Sequence, residues 1–146
     1  MTSIDLENHL QIIRSNILQI IFLLSDRGIK HDQSKFSDIE LQSYIKVKDK
    51  LSQLPFGSKE YEEVKSSIQP AIDHHYKHNR HHPEHFTNGM YDMNIIDLIE
   101  MFCDWVAANK RNPQNDIHNS IDVCTDKYQV PSMLKQILHN SVELFT

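Results

Sequence analysis

His31 and Asp32 stand side by side in the stretch Gly28-Ile29-Lys30-His31-Asp32-Gln33-Ser34-Lys35-Phe36. The stretch sets an imidazole, a carboxylate and an ammonium within one short turn, where a metal and a phosphate can both be reached. Neutral imidazole and carboxylate ligate hard and borderline divalent metals, and a site with few protein ligands leaves positions open for water or phosphate. A His-Asp dipeptide alone recurs by chance. Here it has company: His9 upstream, Asp104 downstream, and a tract in which six of the ten histidines fall between His74 and His85. That tract is interleaved with Asn79, Arg80, Pro83, Glu84 and Phe86, a mixed chemistry that reads as the rim of a site rather than as a low-complexity run. Cys103 and Cys124 both lie in apolar helical patterns and are expected as buried, reduced thiols, with no CxxC pair.

The elements that must position these groups are helical. Ser3, followed by Asp5 and Glu7, opens a helix whose apolar stripe runs Leu6, Leu10, Ile13, Ile17, Ile20 and Leu24, and Gly28 is expected to end it. His9 falls at the edge of that stripe, either as a half-buried histidine bonded to a carbonyl or as a ligand. Ser37 and Glu40 have capping-box spacing for a second helix through Leu41, Tyr44, Ile45, Lys48 and Leu51, broken at Pro55-Phe56-Gly57. Ser58 caps a third with the stripe Tyr61, Val64, Ile68, Ile72 and His75, which Pro70 must break near Gln69. His75 continues the stripe and is expected to point inward. His74 is turned about 100° away.

From Lys77 to Tyr91 no helical period survives, so periodicity does not choose between His81 and His82. His78 and His85 are expected outside the site, because one or two metals cannot use so many imidazoles. Asn94 and Asp97 restart a helix through Ile96, Ile99, Cys103 and Val106. Its acidic face, Asp97, Glu100 and Asp104, reads as solvated, except that Phe102 and Trp105 beside Asp104 suggest partial burial there. Asn112-Pro113 closes this helix. Two more follow, one with Ile117, Ile121 and Cys124, the other opened by Pro131 with Leu134, Ile137, Leu138 and Phe145. No strand-like alternation is long enough to count. The expected fold is all-α, five to seven helices in one domain over residues 1–146.

Composition narrows the function. At 146 residues and 39% apolar content the chain can bury a core without staples, while a formal charge of -5 and a pI near 6.0 disfavour a nucleic-acid or anionic-membrane surface. The N-terminus lacks the features of a signal peptide, and Ile17 to Leu24 is too short to span a bilayer, so a cytoplasmic protein is expected.

The order His9, His31-Asp32, Asp104 on an all-helical chain resembles the HD-domain superfamily of metal-dependent phosphohydrolases. Together HDxSKF at His31 to Phe36, HH at His74-His75, NxHHPE at Asn79 to Glu84 and the DW pair Asp104-Trp105 look like a small bacterial and phage family of HD-like proteins. The resemblance covers residues 9 to 110. It implies His9, His31, Asp32 and Asp104 as ligands of a first metal. It implies His75 and His82 as ligands of a second, with Asp32 bridging and His74 and His81 as alternatives in register. It makes Asp32 and Lys35 catalytic, with Lys35, Arg80 and His81 on substrate phosphate. Ser34 stands where such members have glycine, which bears on the reach of Lys35. One or two divalent ions (Mn, Fe, Mg, Zn or Co) and a small phosphorylated substrate such as a nucleotide follow. The alternatives are an HD-type di-iron oxygenase and a non-enzymatic, metal-stabilised interaction module. Oligomeric state is not legible.

Overall fold

A computed structural model describes residues 2–55, 57–111 and 116–145. Among these residues the chain forms seven α-helices joined by turns and short 3-10 segments, with no strand. The helices are α1 (Ser3–Lys30), α2 (Asp38–Gln53), α3 (Lys59–Ser66), α4 (Gln69–His78), α5 (Ile95–Lys110), α6 (Ile117–Lys127) and α7 (Ser132–Ser141). No helix is long and apolar enough to cross a membrane among the described residues. Two compact units divide the chain, one contiguous from His31 to Asp92 and the other built from the segments before and after it.

In the 31–92 unit, α2, α3 and α4 pack around Val47, Ile68 and Ile72, with Tyr44, Leu51, Val64 and Tyr76 against them. Ser58 caps α3, its Oγ accepting from the Tyr61 amide at 3.1 Å. The expected break lies between Ser66 and Gln69, and Pro70 sits in the first turn of α4, where its missing N–H costs no helical bond. Phe56, in the expected breaker Pro55-Phe56-Gly57, lies outside the described residues.

In the other unit Phe102, Val106, Ile121 and Leu138 form the core cluster of α5, α6 and α7. Asn94 and Asp97 make a full capping box at the start of α5: the Asn94 side chain accepts from the Ile96 and Asp97 amides, and Asp97 accepts from the Asn94 amide at 3.1 Å. Asp97 is fully buried and paired with Arg27 of α1, whose Nε also stands 3.0 Å from Glu100. The expected solvated acidic face is therefore, at Asp97 and Glu100, the seat of an arginine. Asn112-Pro113 lies outside the described residues.

Three further expectations are corrected. Gly28 does not end α1, which continues to Lys30. The residue in the left-handed region is Asp32, at φ 57°. A glycine inside a helix costs only about 1 kcal/mol, too little to stop one this long, and aspartate is among the few side chains that tolerate φ above zero. The apolar stripe of α1 is not buried either, for no residue of this helix is, and His9 is exposed with it. Cys103 is exposed on α5 although it falls in the apolar pattern; Cys124 is buried, and neither is in a disulfide.

Candidate metal centre

The end of α1 delivers the chain into a reversal at His31-Asp32. The positive φ of Asp32 turns its carboxylate back over the following 3-10 turn, Gln33–Phe36, which carries Ser34 and Lys35. From the other side α4 presents His75, only 3% exposed, and the turn that follows Asn79 brings in His81, 1% exposed, and His82. Asp32, His75, His81 and His82 each place one ligand atom within 4.8 Å of the others, a grouping that could hold a metal ion. His75 Nε2 lies 3.2 Å and His81 Nε2 3.6 Å from Asp32 Oδ1, and the Nε2 atoms of His75 and His82 are 2.9 Å apart. With imidazole and carboxylate bonds near 2.0–2.1 Å, ligand atoms on a tetrahedral ion sit about 3.3 Å from one another. The observed spacings bracket that value.

Asp32 Oδ1 is buried and receives no hydrogen bond among the described residues. A buried carboxylate oxygen without a donor costs several kcal/mol unless something else neutralises it, and a cation held by the same histidines would do so. The donor set thus fits a divalent metal. The second carboxylate oxygen, Oδ2, pairs with Lys35 and lies 3.5 Å from His31 Nε2. Ser34 does not hinder this reach. Its hydroxyl accepts from Asn79 Nδ2 at 2.6 Å and lies 3.3 Å from His75 Nδ1.

Behind the histidines sits Glu40, fully buried on α2. Its Oε2 is 2.8 Å from His75 Nδ1 and its Oε1 2.6 Å from His74 Nδ1. A carboxylate accepts only, so Nδ1 of His75 carries the proton and Nε2 is left as a lone pair directed toward Asp32. Burial pushes the Glu40 carboxyl up, yet bonds from His74, Ser34 and His75 outweigh it and hold the group below its usual range. Burial keeps the His75 imidazole below its ordinary value against the pull of Asp32, which favours the neutral, ligating form. The expected Ser37-Glu40 capping box does not form. Ser37 is the N-cap of α2 but makes no side-chain cap bond, because Glu40 is turned inward to the histidines.

The sequence-derived residues separate as follows. Asp32, His75 and His82 are brought together as expected, and His81, expected on substrate phosphate, is buried in the same group instead. His31 abuts it, its ring centroid 4.3 Å from that of His81. His74 faces away from the group and onto Glu40. His78 is exposed and bonds the His74 carbonyl, while His85 bonds the Tyr76 carbonyl, so both stay outside. Arg80 is half-buried and stacks on Phe86 at 4.8 Å. Lys35 lies 5.8 Å from the Tyr44 ring, whose hydroxyl is pushed well above its usual value by burial and by Glu40 and Asp32. His9 and Asp104 belong to the other unit, His9 exposed on α1 and Asp104 partly buried on α5. Glu40 was not foreseen. Its signal was its place in the inward stripe Glu40, Tyr44, Val47, Leu51, stepping by four and three.

A family model described as "Family of unknown function (DUF5662)" matches residues 2–144. No curated protein and no solved structure matches the chain.

Proposed function

The chain belongs to the DUF5662 family, and we propose that it is a metal-dependent phosphohydrolase of HD type acting on a nucleotide or another small phosphorylated metabolite. Asp32, His75, His81 and His82 would hold the ion. The observation that carries the reading is the buried Asp32 oxygen, without a donor, at the convergence of these imidazoles. When bound, a divalent ion supplies Lewis acidity toward a phosphoryl oxygen and lowers the pKa of water toward neutrality. The residues of the chain do the rest. Asp32 accepts and guides the proton of the attacking water. Lys35, already drawn to the site by Asp32, moves its charge onto the phosphate, and Arg80 adds a second, bidentate donor. Glu40 holds His75 in the ligating tautomer. His9, His31 and Asp104 are added to the metal site by the sequence resemblance.

The test begins with the metal content of protein purified without a histidine tag. Wild type retains a divalent ion, and Asp32→Ala loses it while its circular dichroism stays helical; full metal stoichiometry in Asp32→Ala rejects the site. A screen of nucleotides and phosphorylated metabolites with Mn²⁺ then reads released phosphate, and Lys35→Ala raises KM for whichever substrate turns over. Metal retention with no turnover across the screen would leave the site and reject the hydrolase in favour of a metal-stabilised interaction module.

A further inference from the structure

Helix α1 is 28 residues long, about 42 Å at 1.5 Å per residue, and buries none of its side chains. The α5–α7 core closes around Phe102, Val106, Ile121 and Leu138 without it. Leu6 is 44% exposed, Leu10 41%, Ile13 39% and Ile17 54%. From Leu6 to Ile20 these positions alternate steps of four and three, a mean of 3.5. That is the period of a seam between two supercoiled helices.

We propose that the N-terminal half of α1 is a self-association surface that pairs antiparallel with α1 of a second copy of this chain. Charge selects the partner and its direction. Glu7 and Arg14 follow Leu6 and Ile13 on the same flank of the seam. An antiparallel two-fold near Gln11 sets Leu6 against Ile17, Leu10 against Ile13 and Glu7 against Arg14 of the second copy, each contact made twice by symmetry. A parallel pair would instead bring Arg14 toward His9. A lipid surface is the weaker occupant, because Asp5, Glu7 and Asp26 balance Arg14, Arg27 and Lys30 and leave no cationic face.

Sedimentation equilibrium of the full chain at micromolar concentration reads the outcome. The expected mass is twice 17.2 kDa. Ile13→Asp raises the dissociation constant about 100-fold or more, since it buries a charge in the seam. Glu7→Arg raises it about tenfold, and Glu7→Arg combined with Arg14→Glu restores it; both positions are exposed, so these variants fold irrespective of association. A monomer at every concentration, a double swap that fails to restore pairing, or a monomer that instead partitions onto neutral phosphatidylcholine vesicles overturns the proposal.

Discussion

Glu40 ties two adjacent histidines to one buried carboxylate, and its loss should be felt in metal affinity before it is felt in the fold. Glu40→Gln keeps the volume but replaces one acceptor oxygen with a donor, so one of His74 and His75 loses its partner. Metal affinity should fall about 10–100-fold, the usual effect of removing a partner behind a ligand, with helicity unchanged. Competition with a fluorescent chelator measures this, and an unchanged affinity would remove Glu40 from the site. His75 carries a pH prediction. Its folded pKa is lowered by burial from the ordinary histidine value of about 6.5, so the unfolded chain binds the extra proton first. Stability contributed by neutral His75 is present above about pH 6.5 and is lost as pH falls toward the depressed folded value. Urea melts of metal-free protein should weaken on going to mildly acid pH, and less so in His75→Gln, which has no proton to gain. At this scale His75 was legible, because a stripe of three and four reached it, and so was Asp32. His81 and His82 were not distinguishable, because the segment that carries them has no period; the backbone there brings both inward. Glu40 was hidden by a pattern with two meanings, Ser-x-x-Glu, of which burial chose the less common.

The helices themselves were largely legible from caps and breakers: Ser58, Pro70 and the Asn94-Asp97 box all stand where the sequence places them. The end of α1 was not, since Gly28 offers a stop that the chain does not take. The sign of one substitution separates the two geometries. Gly28 lies inside the helix with open space where a Cβ would project, so Gly28→Ala should stabilise by roughly 0.5–1 kcal/mol, whereas a left-handed cap would be destabilised. Urea denaturation reads either. The tie between α1 and α5 was also invisible, for nothing in a sequence announces that Arg27 and Asp97 meet 70 residues apart. Arg27→Met would take the arginine's charge away from the buried Asp97 and should cost about 3–5 kcal/mol in the same assay. A loss below about 1 kcal/mol would mean that the carboxylate finds water or another donor.

Across the whole molecule, the division into a contiguous unit and a discontinuous one was not read from the sequence, although apolar residues drop from 14 of 30 before His31 to 18 of 62 in residues 31–92 and return to 25 of 54 after Asp92. Metal binding to folded chain alone stabilises whatever it is coupled to. Hydrogen exchange with and without Mn²⁺ should therefore show protection gathering at residues 31–35 and 75–83; uniform protection, or none there, would argue against the four-ligand group. The discontinuity also sets an order of events on the ribosome. Helix α1 is synthesised first, yet α5, the helix its Arg27 pairs with, begins about 65 residues later, a delay of about 3–13 s at ~5–20 residues per second. The 31–92 unit, being contiguous, emerges complete during that interval. The nascent chain thus builds its histidine cluster while an apolar helix of 28 residues waits, which makes α1 the segment most in need of a chaperone, or of a neighbouring polysome's α1, during translation.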